Sequence, residues 1–303
     1  MTRMIAIIAL FVQLVSCQEL DRFIPKYKTT DTTERPRTYS YACLDSAVSG
    51  NRVNRTLGRA GDLIRDIAVN EDRITDEVQS EYGATFHQQM VVEQKEFVLL
   101  KDAAVQSRLQ TALNKLLAVR TRPSKIDYHI YALKDTAINA FTFGGRIYVT
   151  QGMLRKIGNN TPLLYAIVGH EIGHSEEGHI KKTIQDLQLT NNIFGEANAG
   201  FALQVMKLIT ASFNQKNELE ADYYGVELTH KLQQEVCSAV KFWREMASNE
   251  NRYSQVEDFF RTHPFSGLRA QCLEDHIMAN FGTSCGENRK GVLPQVEEKP
   301  VLK

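Results

Sequence analysis

His170, Glu171 and His174 stand in the order His-Glu-x-x-His within the segment TPLLYAIVGHEIGHSEEGHIKK. An α-helix turns by about 100° per residue, so His170 and His174 lie one turn apart on one face while Glu171 points to the side. Two imidazole rings on one face can bind a single metal ion, and the neighbouring carboxylate can take a proton from water. This spacing predicts a zinc site with hydrolytic chemistry.

The residues before the histidines favour a buried helix. Thr161 is the predicted N-cap, Pro162 is the predicted first helical residue, and the run from Leu163 to Val168 is apolar and contains no helix breaker. Buried histidines and a buried glutamate are costly without a partner, and a bound cation supplies one. The alternative is a core helix that carries the histidines by coincidence, so the metal site needs a third ligand elsewhere in the chain.

Candidates for this third ligand lie in three places. A third histidine in the pattern His-Glu-x-x-His-x-x-Gly-x-x-His is excluded, because Glu177 stands in place of the glycine and Ile180 in place of the histidine. Glu196, in GEANAG, has no neighbour that would orient it. Glu218, in NELEADYYG, is the favoured ligand, and the nearby Glu220 is expected on a solvated helix face.

Glu218 and Asp222 lie four residues apart, so a helix places both carboxylates on one face. We expect Glu218 to bind the metal and Asp222 to accept the second N–H group of a ligating histidine. Gly225 continues the same stripe. Together with Gly169 and Gly173 on the first helix, it would let the two helix backbones approach closely.

The predicted reaction is hydrolysis of a peptide bond with one zinc ion per chain. Zinc bound by His170, His174 and Glu218 would lower the pKa of water toward about 7. Glu171 would take the proton and pass it to the leaving nitrogen. It is not expected to be a ligand, because its helical angle directs it beside the metal. Asp222 would hold a ligating histidine in place.

Composition limits the classes of function. The chain has 303 residues, 43% of them hydrophobic and 24% charged, which is enough for a globular core. It has 36 basic and 36 acidic residues, so its formal net charge is zero. A chain without net positive charge is not expected to bind nucleic acid, and we expect polypeptide substrates instead.

The N-terminus has the features of an export signal. Arg3 supplies a positive charge, and the apolar run from Met4 to Leu14 is too short to span a bilayer comfortably. Residues 1–16 are therefore predicted to be a signal peptide. The mature chain is predicted to be exported.

The tetrapeptide Leu-Val-Ser-Cys at residues 14–17 resembles a bacterial lipobox, which implies cleavage before Cys17 and lipidation of this residue. An ordinary cleaved signal peptide is the alternative. Residues 17–45 are polar and rich in threonine, arginine and proline, and are predicted to form a flexible linker after the lipidated Cys17. Gln18 is not the aspartate that is often linked to inner-membrane retention. The expected location is therefore the periplasmic side of the envelope, with a lipid anchor in the outer membrane.

Four cysteines remain besides Cys17, namely Cys43, Cys237, Cys272 and Cys285. An exported compartment permits disulfide bonds, and the spacing of these cysteines lacks the close pairs of a zinc ribbon. Structural disulfides are the favoured use. Four cysteines allow three pairings, and the sequence does not choose among them.

Hydrophobic periodicity predicts a mainly helical α+β domain at residues 46–285, followed by a disordered tail at residues 286–303. Besides the helix that carries the histidines, the predicted helices lie at residues 51–68, 74–92, 102–119, 180–189, 201–209, 217–232 and 235–246. Strand-like alternation begins at Lys125.

A hairpin is predicted just before the metal-binding helix. Phe141 and Phe143 alternate with polar residues, the dipeptide at residues 144–145 is Gly-Gly, and alternation resumes after it. An exposed strand of this hairpin could accept an extended peptide by backbone pairing, and a plain structural hairpin is the alternative. The predicted substrate-binding residues are Asn139, Ala140 and Phe141.

The chain resembles the family of zinc metallopeptidases that includes HtpX, BepA and the CAAX prenyl protease. The resemblance runs from about Asp127 to Ala270 and rests on four blocks in order: INAFTFGGRIYVTQGML, VGHEIGH, the acidic pair in NELEAD, and THPFSGLRA. It implies a gluzincin fold, mainly helical with a small sheet beside the zinc-binding helix, and endopeptidase activity on proteins. Since no second stretch looks like a membrane span, the chain resembles the exported branch and not the polytopic one.

The last block of the resemblance brings in His263 and Arg269 as catalytic residues that face the site. The resemblance implies that His263 stabilises the oxyanion or binds zinc as a fourth ligand in a resting state. His179 matches a position that is often histidine in the family, and packing is its expected use. The implied substrates are misfolded or misassembled exported proteins.

The sequence leaves a second function open, that of a chaperone-like assembly factor for outer-membrane proteins in which proteolysis is blocked or occasional. The apolar segment from Ile193 to Phe213 lies between the two metal-binding helices in the sequence and could cover the cleft. An ordinary buried helix is the alternative for this segment.

Overall fold

The computed structural model describes residues 39, 74–194, 214–249, 263 and 266–286, and these belong to one compact unit that starts at Tyr39. Several predictions fall outside the described residues. They concern the signal peptide, Cys17 and the linker, the helices at residues 51–68 and 201–209, the possible cover at residues 195–213, and residues 287–303 of the tail.

The described chain is mainly helical and contains a small sheet, which confirms the α+β prediction. The helices are α1 (Asp76–His87), α2 (Ala103–Ala118), α3 (Gln151–Ile157), α4 (Thr161–Glu176), α5 (His179–Phe194), α6 (Gln215–Lys231), α7 (Cys237–Asn249) and α8 (Ser266–Phe281), and a π-helical segment, Gln88–Glu93, follows α1. The strands are β1 (His129–Leu133), β2 (Ala140–Phe143) and β3 (Arg146–Thr150). The sequence pattern did not predict α8.

The sheet has the strand order β1-β3-β2, with β3 parallel to β1 and antiparallel to β2. Gly144 and Gly145 join β2 to β3 with φ values of 57° and 82°, so the predicted hairpin is present and its turn needs the positive φ that glycine tolerates. A Cβ atom on Gly144 would also lie 2.4 Å from the backbone nitrogen of Gly83, because α1 packs directly on this turn.

The helix α4 lies at the centre of the unit, and every residue from Leu163 to Ser175 is buried. Its apolar residues point in all directions, which is the pattern of a helix enclosed by other elements. It packs against α6 along most of its length and also contacts α2, α7 and β2. The prediction that this helix is buried is confirmed.

The start of α4 differs from the prediction by one residue. Asn160, not Thr161, is the N-cap, since its side-chain oxygen accepts a hydrogen bond from the backbone N–H of Leu163 at 3.0 Å. Asparagine is at least as good an N-cap as threonine, and Pro162 in the first turn removes an N–H group that has no partner within the helix.

Small residues set the distance between α4 and α6, as predicted from the three glycines. A Cβ atom on Gly169 would lie 2.8 Å from the Cα atom of Gly225, and one on Gly173 would lie 3.0 Å from the Cα atom of Ala221. The two backbones therefore touch at Gly169 and Gly225. This contact fixes how far the side chains of α6 reach toward those of α4.

A disulfide bond joins Cys237, at the start of α7, to Cys285, just after α8. It selects among the three pairings that the sequence left open and fastens the end of α8 to α7. None of the described helices is both long enough and apolar enough to cross a membrane.

Candidate metal centre

Four buried side chains converge beside α4. Ligand atoms of His170, His174, Glu218 and His263 all lie within 4.8 Å of one another, and each residue is at most 4% exposed. Two histidines and one glutamate of this cluster are the predicted metal ligands. The fourth member is His263, 93 residues away from His170 in the sequence, which the family resemblance placed at the site.

The helix α4 aims both of its histidines at the same point. The Nε2 atoms of His170 and His174 are 3.0 Å apart, as expected for two rings one turn apart on one helix face. Glu171 lies beside this point, with Oε1 at 3.6 Å from Nε2 of His263. The neighbouring helix α6 supplies Glu218, whose Oε1 is 3.5 Å from Nε2 of His174 and whose Oε2 is 3.7 Å from Nε2 of His170.

The donor set fits a zinc ion. Nδ1 of His170 lies 2.9 Å from Oδ1 of Asp222, and since a carboxylate accepts hydrogen bonds, Nδ1 carries the proton and Nε2 presents its lone pair. Oε1 of Glu218 is buried and accepts no hydrogen bond from the described residues. The lone pair of an imidazole and a carboxylate oxygen without a hydrogen bond are both electron-rich, so a cation between them would stabilise the cluster. Zinc binds such nitrogen and oxygen donors.

Arg269, from α8, neutralises the acidic side of the cluster. Its guanidinium donates to both oxygens of Asp222 at 2.7 and 2.8 Å and forms an ion pair with Oε2 of Glu218 at 2.7 Å. Its Cζ atom also lies over the ring of Trp243, 3.5 Å from the centroid. Burial alone would raise the pKa of Asp222, but Arg269 and His170 outweigh it and lower this pKa to about 2.

His263 bridges the cluster and the sheet. Its Nδ1 lies 3.1 Å from Oε2 of Glu218, and its Nε2 donates to the carbonyl oxygen of Ala140 in β2 at 3.0 Å. Burial lowers the pKa of His263, but the carboxylates of Glu218 and Glu171 outweigh it and raise this pKa overall. Because the carbonyl of Ala140 holds the proton on Nε2, Nδ1 is the atom that faces the cluster.

Glu171 is buried beside the cluster. Burial raises its pKa, although His263 and His170 oppose this effect. A carboxyl group with a raised pKa holds a proton more readily than an ordinary glutamate does. The position of Glu171 beside the metal ligands suits a group that first accepts a proton from water and then donates it.

The site geometry agrees with the similarity of the chain to known proteins. The family model of Peptidase family M48 matches residues 103–277, more than half of the chain. The chain belongs to Peptidase family M48. M48 peptidases are zinc-dependent metalloproteases, so the chain is a metalloprotease and the four-residue cluster is its metal-binding site.

Three relatives show how far the similarity extends. Metalloprotease LoiP of Escherichia coli K12 is 30% identical over 186 residues, which cover 57% of this chain and 71% of LoiP. The β-barrel assembly-enhancing protease of Yersinia pestis is 23% identical over 188 residues, 56% of this chain and 38% of that protein. The mitochondrial metalloendopeptidase OMA1 of Schizosaccharomyces pombe is 26% identical over 173 residues, 54% of this chain and 51% of that protein. The chain thus matches about two fifths to half of the length of the last two.

The three predicted substrate-binding residues of this M48 chain have different contacts in the structure. The carbonyl oxygen of Ala140 contacts His263 in the cluster. The backbone of Asn139 pairs with Thr150 in β3, whose N–H donates to the carbonyl oxygen of Asn139 at 3.0 Å. The ring of Phe141 packs against Tyr148, with the centroids 4.9 Å apart, and is buried.

The expectation for Glu220 is wrong. Its Oε2 accepts a hydrogen bond from Nε2 of His179 at 3.0 Å, and its Oε1 pairs with Lys216 at 3.2 Å. Its side chain is 21% exposed, so it lies at the edge of the packed region instead of on a solvated face. The helix α5 brings His179 to it, and helical spacing within α6 alone gives no signal of this contact.

Sequence reasoning also missed Trp243, which supports the guanidinium of Arg269. A single tryptophan on an amphipathic helix carries no signal that separates this role from ordinary core packing. The contact arises because α7 and α8 pack side by side, next to α4 and α6 respectively.

Proposed function

We propose that this chain is a zinc-dependent endopeptidase of the bacterial cell envelope that hydrolyses peptide bonds in misfolded or misassembled exported proteins. The observation that carries the proposal is the convergence of His170, His174 and Glu218 with Glu171 directly beside them. The site is buried, which suits hydrolysis inside a cleft that excludes bulk water.

The chemistry divides between the metal and the protein. His170, His174 and Glu218 would hold a zinc ion, which would supply Lewis-acid chemistry for a peptide carbonyl and for water. Glu171 takes the proton from the attacking water and delivers it to the leaving nitrogen. Its position beside the metal ligands suits this transfer.

Asp222 and Arg269 act as positioning residues in this proposal. Asp222 accepts the Nδ1 proton of His170 and so keeps Nε2 directed at the metal position. Arg269 contacts both Asp222 and Glu218 but is turned toward Trp243, and it holds the two carboxylates in place. We therefore assign Arg269 to support of the ligands, although the sequence resemblance implied a catalytic role.

The outer edge of β2 offers a place for an extended substrate. Asn139 pairs its backbone with Thr150 in β3, so alternation along an antiparallel strand directs the backbone groups of Ala140 and Thr142 away from β3. A peptide paired with these groups would lie next to Glu171 and the metal ligands. Ala140→Pro removes one outward N–H group and should raise KM with a smaller effect on kcat. An unchanged KM in a folded variant would exclude this edge.

His263 competes with such a substrate in our proposal. It holds the carbonyl oxygen of Ala140 with Nε2 and faces the cluster with Nδ1, so it suits a fourth ligand in a resting state. His263→Ala should then raise the rate of casein hydrolysis. A fall in rate of about 10²–10³-fold would instead assign His263 to stabilisation of the oxyanion.

Three variants test the hydrolytic mechanism. Glu171→Gln should keep zinc, measured by elemental analysis, and lose casein hydrolysis by at least about 10²-fold, because the general base is lost. His170→Ala and Glu218→Ala should lose zinc. Glu81→Gln is the matched control, since Glu81 is an exposed glutamate of α1 and should keep full activity. Full activity in Glu171→Gln would refute the mechanism.

The envelope location rests on the predicted lipidation of Cys17 and on the printed name of the Yersinia relative, a β-barrel assembly-enhancing protease. Cys17→Ala should prevent acylation and release the protein from the membrane fraction of cells. Membrane partition unchanged from the wild type would contradict a lipid anchor at Cys17.

A chaperone-like assembly factor for outer-membrane proteins is the second candidate. The position of His263 in the cluster favours it, because a metal ion held by all four side chains would have no open position for water. In that case Glu171→Gln would bind unfolded outer-membrane protein as the wild type does and would restore the phenotype of a deletion strain. Loss of rescue in Glu171→Gln would favour the protease.

A further inference from the structure

The second zinc ligand of α4 has a hydrogen-bonded chain behind it. Nδ1 of His174 lies 3.0 Å from Nδ1 of His179, the first residue of α5. Nε2 of His179 in turn lies 3.0 Å from Oε2 of Glu220 in α6. His174 and His179 are 0% and 3% exposed, so both rings are shielded from water.

The positions of the protons along this chain follow from the carboxylate at its end. Ionised Glu220 only accepts hydrogen bonds, so Nε2 of His179 carries a proton and donates it. Nδ1 of a neutral His179 is then an acceptor, and Nδ1 of His174 must be the donor. This arrangement fixes the tautomer of His174 in which Nε2 presents its lone pair to the cluster.

Lys216 keeps the end of the chain ionised. Its Nζ lies 3.2 Å from Oε1 of Glu220, one helical turn away. An ammonium group at this distance favours the carboxylate form of Glu220. Oε2 of this carboxylate accepts the proton of His179.

The two zinc ligands of α4 are thus held in the same way. Nδ1 of His170 reaches Asp222 directly, and Nδ1 of His174 reaches Glu220 through the ring of His179. Both carboxylates come from α6, two residues apart, and α6 also supplies Glu218. The ring of His179 lies between His174 and Glu220 and connects them through two hydrogen bonds.

We propose that His179 and Glu220 are positioning residues for the zinc ligand His174, and that the chain Glu220–His179–His174 fixes its tautomer and ring orientation. His179 is not itself a ligand, because Nδ1 faces His174 and Nε2 faces Glu220. The proposal rests on the metal site of the proposed function and adds to it the means by which His174 is held.

The test measures zinc affinity in the full chain by competition with a chromophoric chelator, with folding followed by circular dichroism. His179→Phe removes the acceptor for His174 and should weaken zinc binding by about 10–100-fold. His179→Asn places an amide oxygen near the position of Nδ1, so it should bind zinc within about threefold of the wild type. A purely structural role for His179 predicts no such rescue by asparagine.

His276→Phe is the matched control, because His276 is also a buried helical histidine, 4% exposed, and it stacks on Tyr223 with the centroids 4.0 Å apart. This variant can lose stability but should keep wild-type zinc affinity. An equal loss of affinity in His276→Phe and His179→Phe would reduce the effect to general destabilisation and overturn the proposal.

A double-mutant cycle tests the outer end of the chain. Glu220→Ala should weaken zinc binding about tenfold in the wild type and have no further effect in His179→Phe, because its influence passes through the ring of His179. Additive effects would overturn the proposal, as would wild-type affinity in folded His179→Phe. A wild-type chain that binds no zinc would instead overturn the metal site and the proposed function.

Discussion

Gly225→Ala should weaken zinc binding, although Gly225 is not itself a metal ligand. Gly225 lies where α6 crosses α4, and a Cβ atom at this position would lie 2.7 Å from both the carbonyl oxygen of Ala166 and the backbone nitrogen of His170. Both atoms belong to the backbone of α4, so no side-chain rotation can relieve the clash. The helices must move apart.

The size of the movement follows from these distances. Ordinary contacts of a Cβ atom begin at 3.4 Å, so the shortfall is 3.4 − 2.7 = 0.7 Å. Zinc–ligand distances tolerate about 0.2 Å, and a separation of several tenths of an ångström moves Glu218 and Asp222 away from His170 and His174. We expect zinc affinity to fall at least about tenfold. Overpacking of this kind also costs about 1–3 kcal/mol of stability.

Chelator competition and thermal unfolding measure the two effects in one set of samples. The loss of stability corresponds to a fall in Tm of about 2–12 °C for a domain of this size. Gly267→Ala is the matched control, because among the described residues its Cβ atom would meet only Cβ of Ala247, at 3.5 Å, within ordinary contact. This control should keep zinc affinity and gain up to about 1 kcal/mol from helix propensity.

Two outcomes would contradict the expected effect of Gly225→Ala. If Gly225→Ala binds zinc as tightly as the wild type and unfolds at the same temperature, the backbones of α4 and α6 do not touch at Gly225. If zinc affinity falls equally in Gly267→Ala, the loss does not depend on the spacing of these two helices.

Three further predictions test the surroundings of the site. Arg269→Met removes the only arginine that the described structure pairs with the buried carboxylates of Asp222 and Glu218. It should lower the metal-free free energy of unfolding in urea by about 3–5 kcal/mol, and a change below about 1 kcal/mol would contradict the buried ion pairs. The double variant Cys237→Ala/Cys285→Ala removes a cross-link between residues 48 apart and should lose up to about 4 kcal/mol, whereas equal stability of the oxidised and reduced wild type would contradict it. Burial raises the pKa of Asp76, but the contacts of its carboxylate with Lys181 and with the backbone N–H of Lys125 outweigh burial and lower this pKa below the ordinary value of 3.8. The unfolded state therefore binds more protons than the folded state at acidic pH. The cost of Asp76→Asn should therefore be about 1 kcal/mol at pH 7 and vanish as the pH falls from about 4 through the lowered pKa, and a cost independent of pH in acid-unfolding series would contradict this ion pair.

The residues of the site that share a helix are those that the sequence could predict. His170 and His174 are related by one turn of α4, and Glu218 and Asp222 by one turn of α6, so helical spacing predicts which side chains point the same way. The Gly-Gly dipeptide likewise predicts the turn between β2 and β3, because a tight hairpin turn needs positive φ at both positions.

Contacts between helices that meet at an angle could not be predicted in this way. Glu220 looked like a solvated residue because helical spacing within α6 gives no information about α5, which brings His179 against it. The N-cap of α4 also escaped the prediction, because Asn160 and Thr161 are both good N-caps and only the backbone geometry distinguishes them.

The sequence by itself thus determined the chemistry at the centre of the site, a pair of histidines with a glutamate beside them and a carboxylate pair elsewhere, because local helical periodicity orients each set. Tertiary structure decided everything that depends on how the helices pack. Tertiary packing brings His263 to the carbonyl oxygen of Ala140 and the guanidinium of Arg269 over the ring of Trp243. It also connects His174 to Glu220 by hydrogen bonds through His179. Those contacts join residues from different elements, and their distances are set by the contact of α4 with α6, which no single segment of sequence encodes.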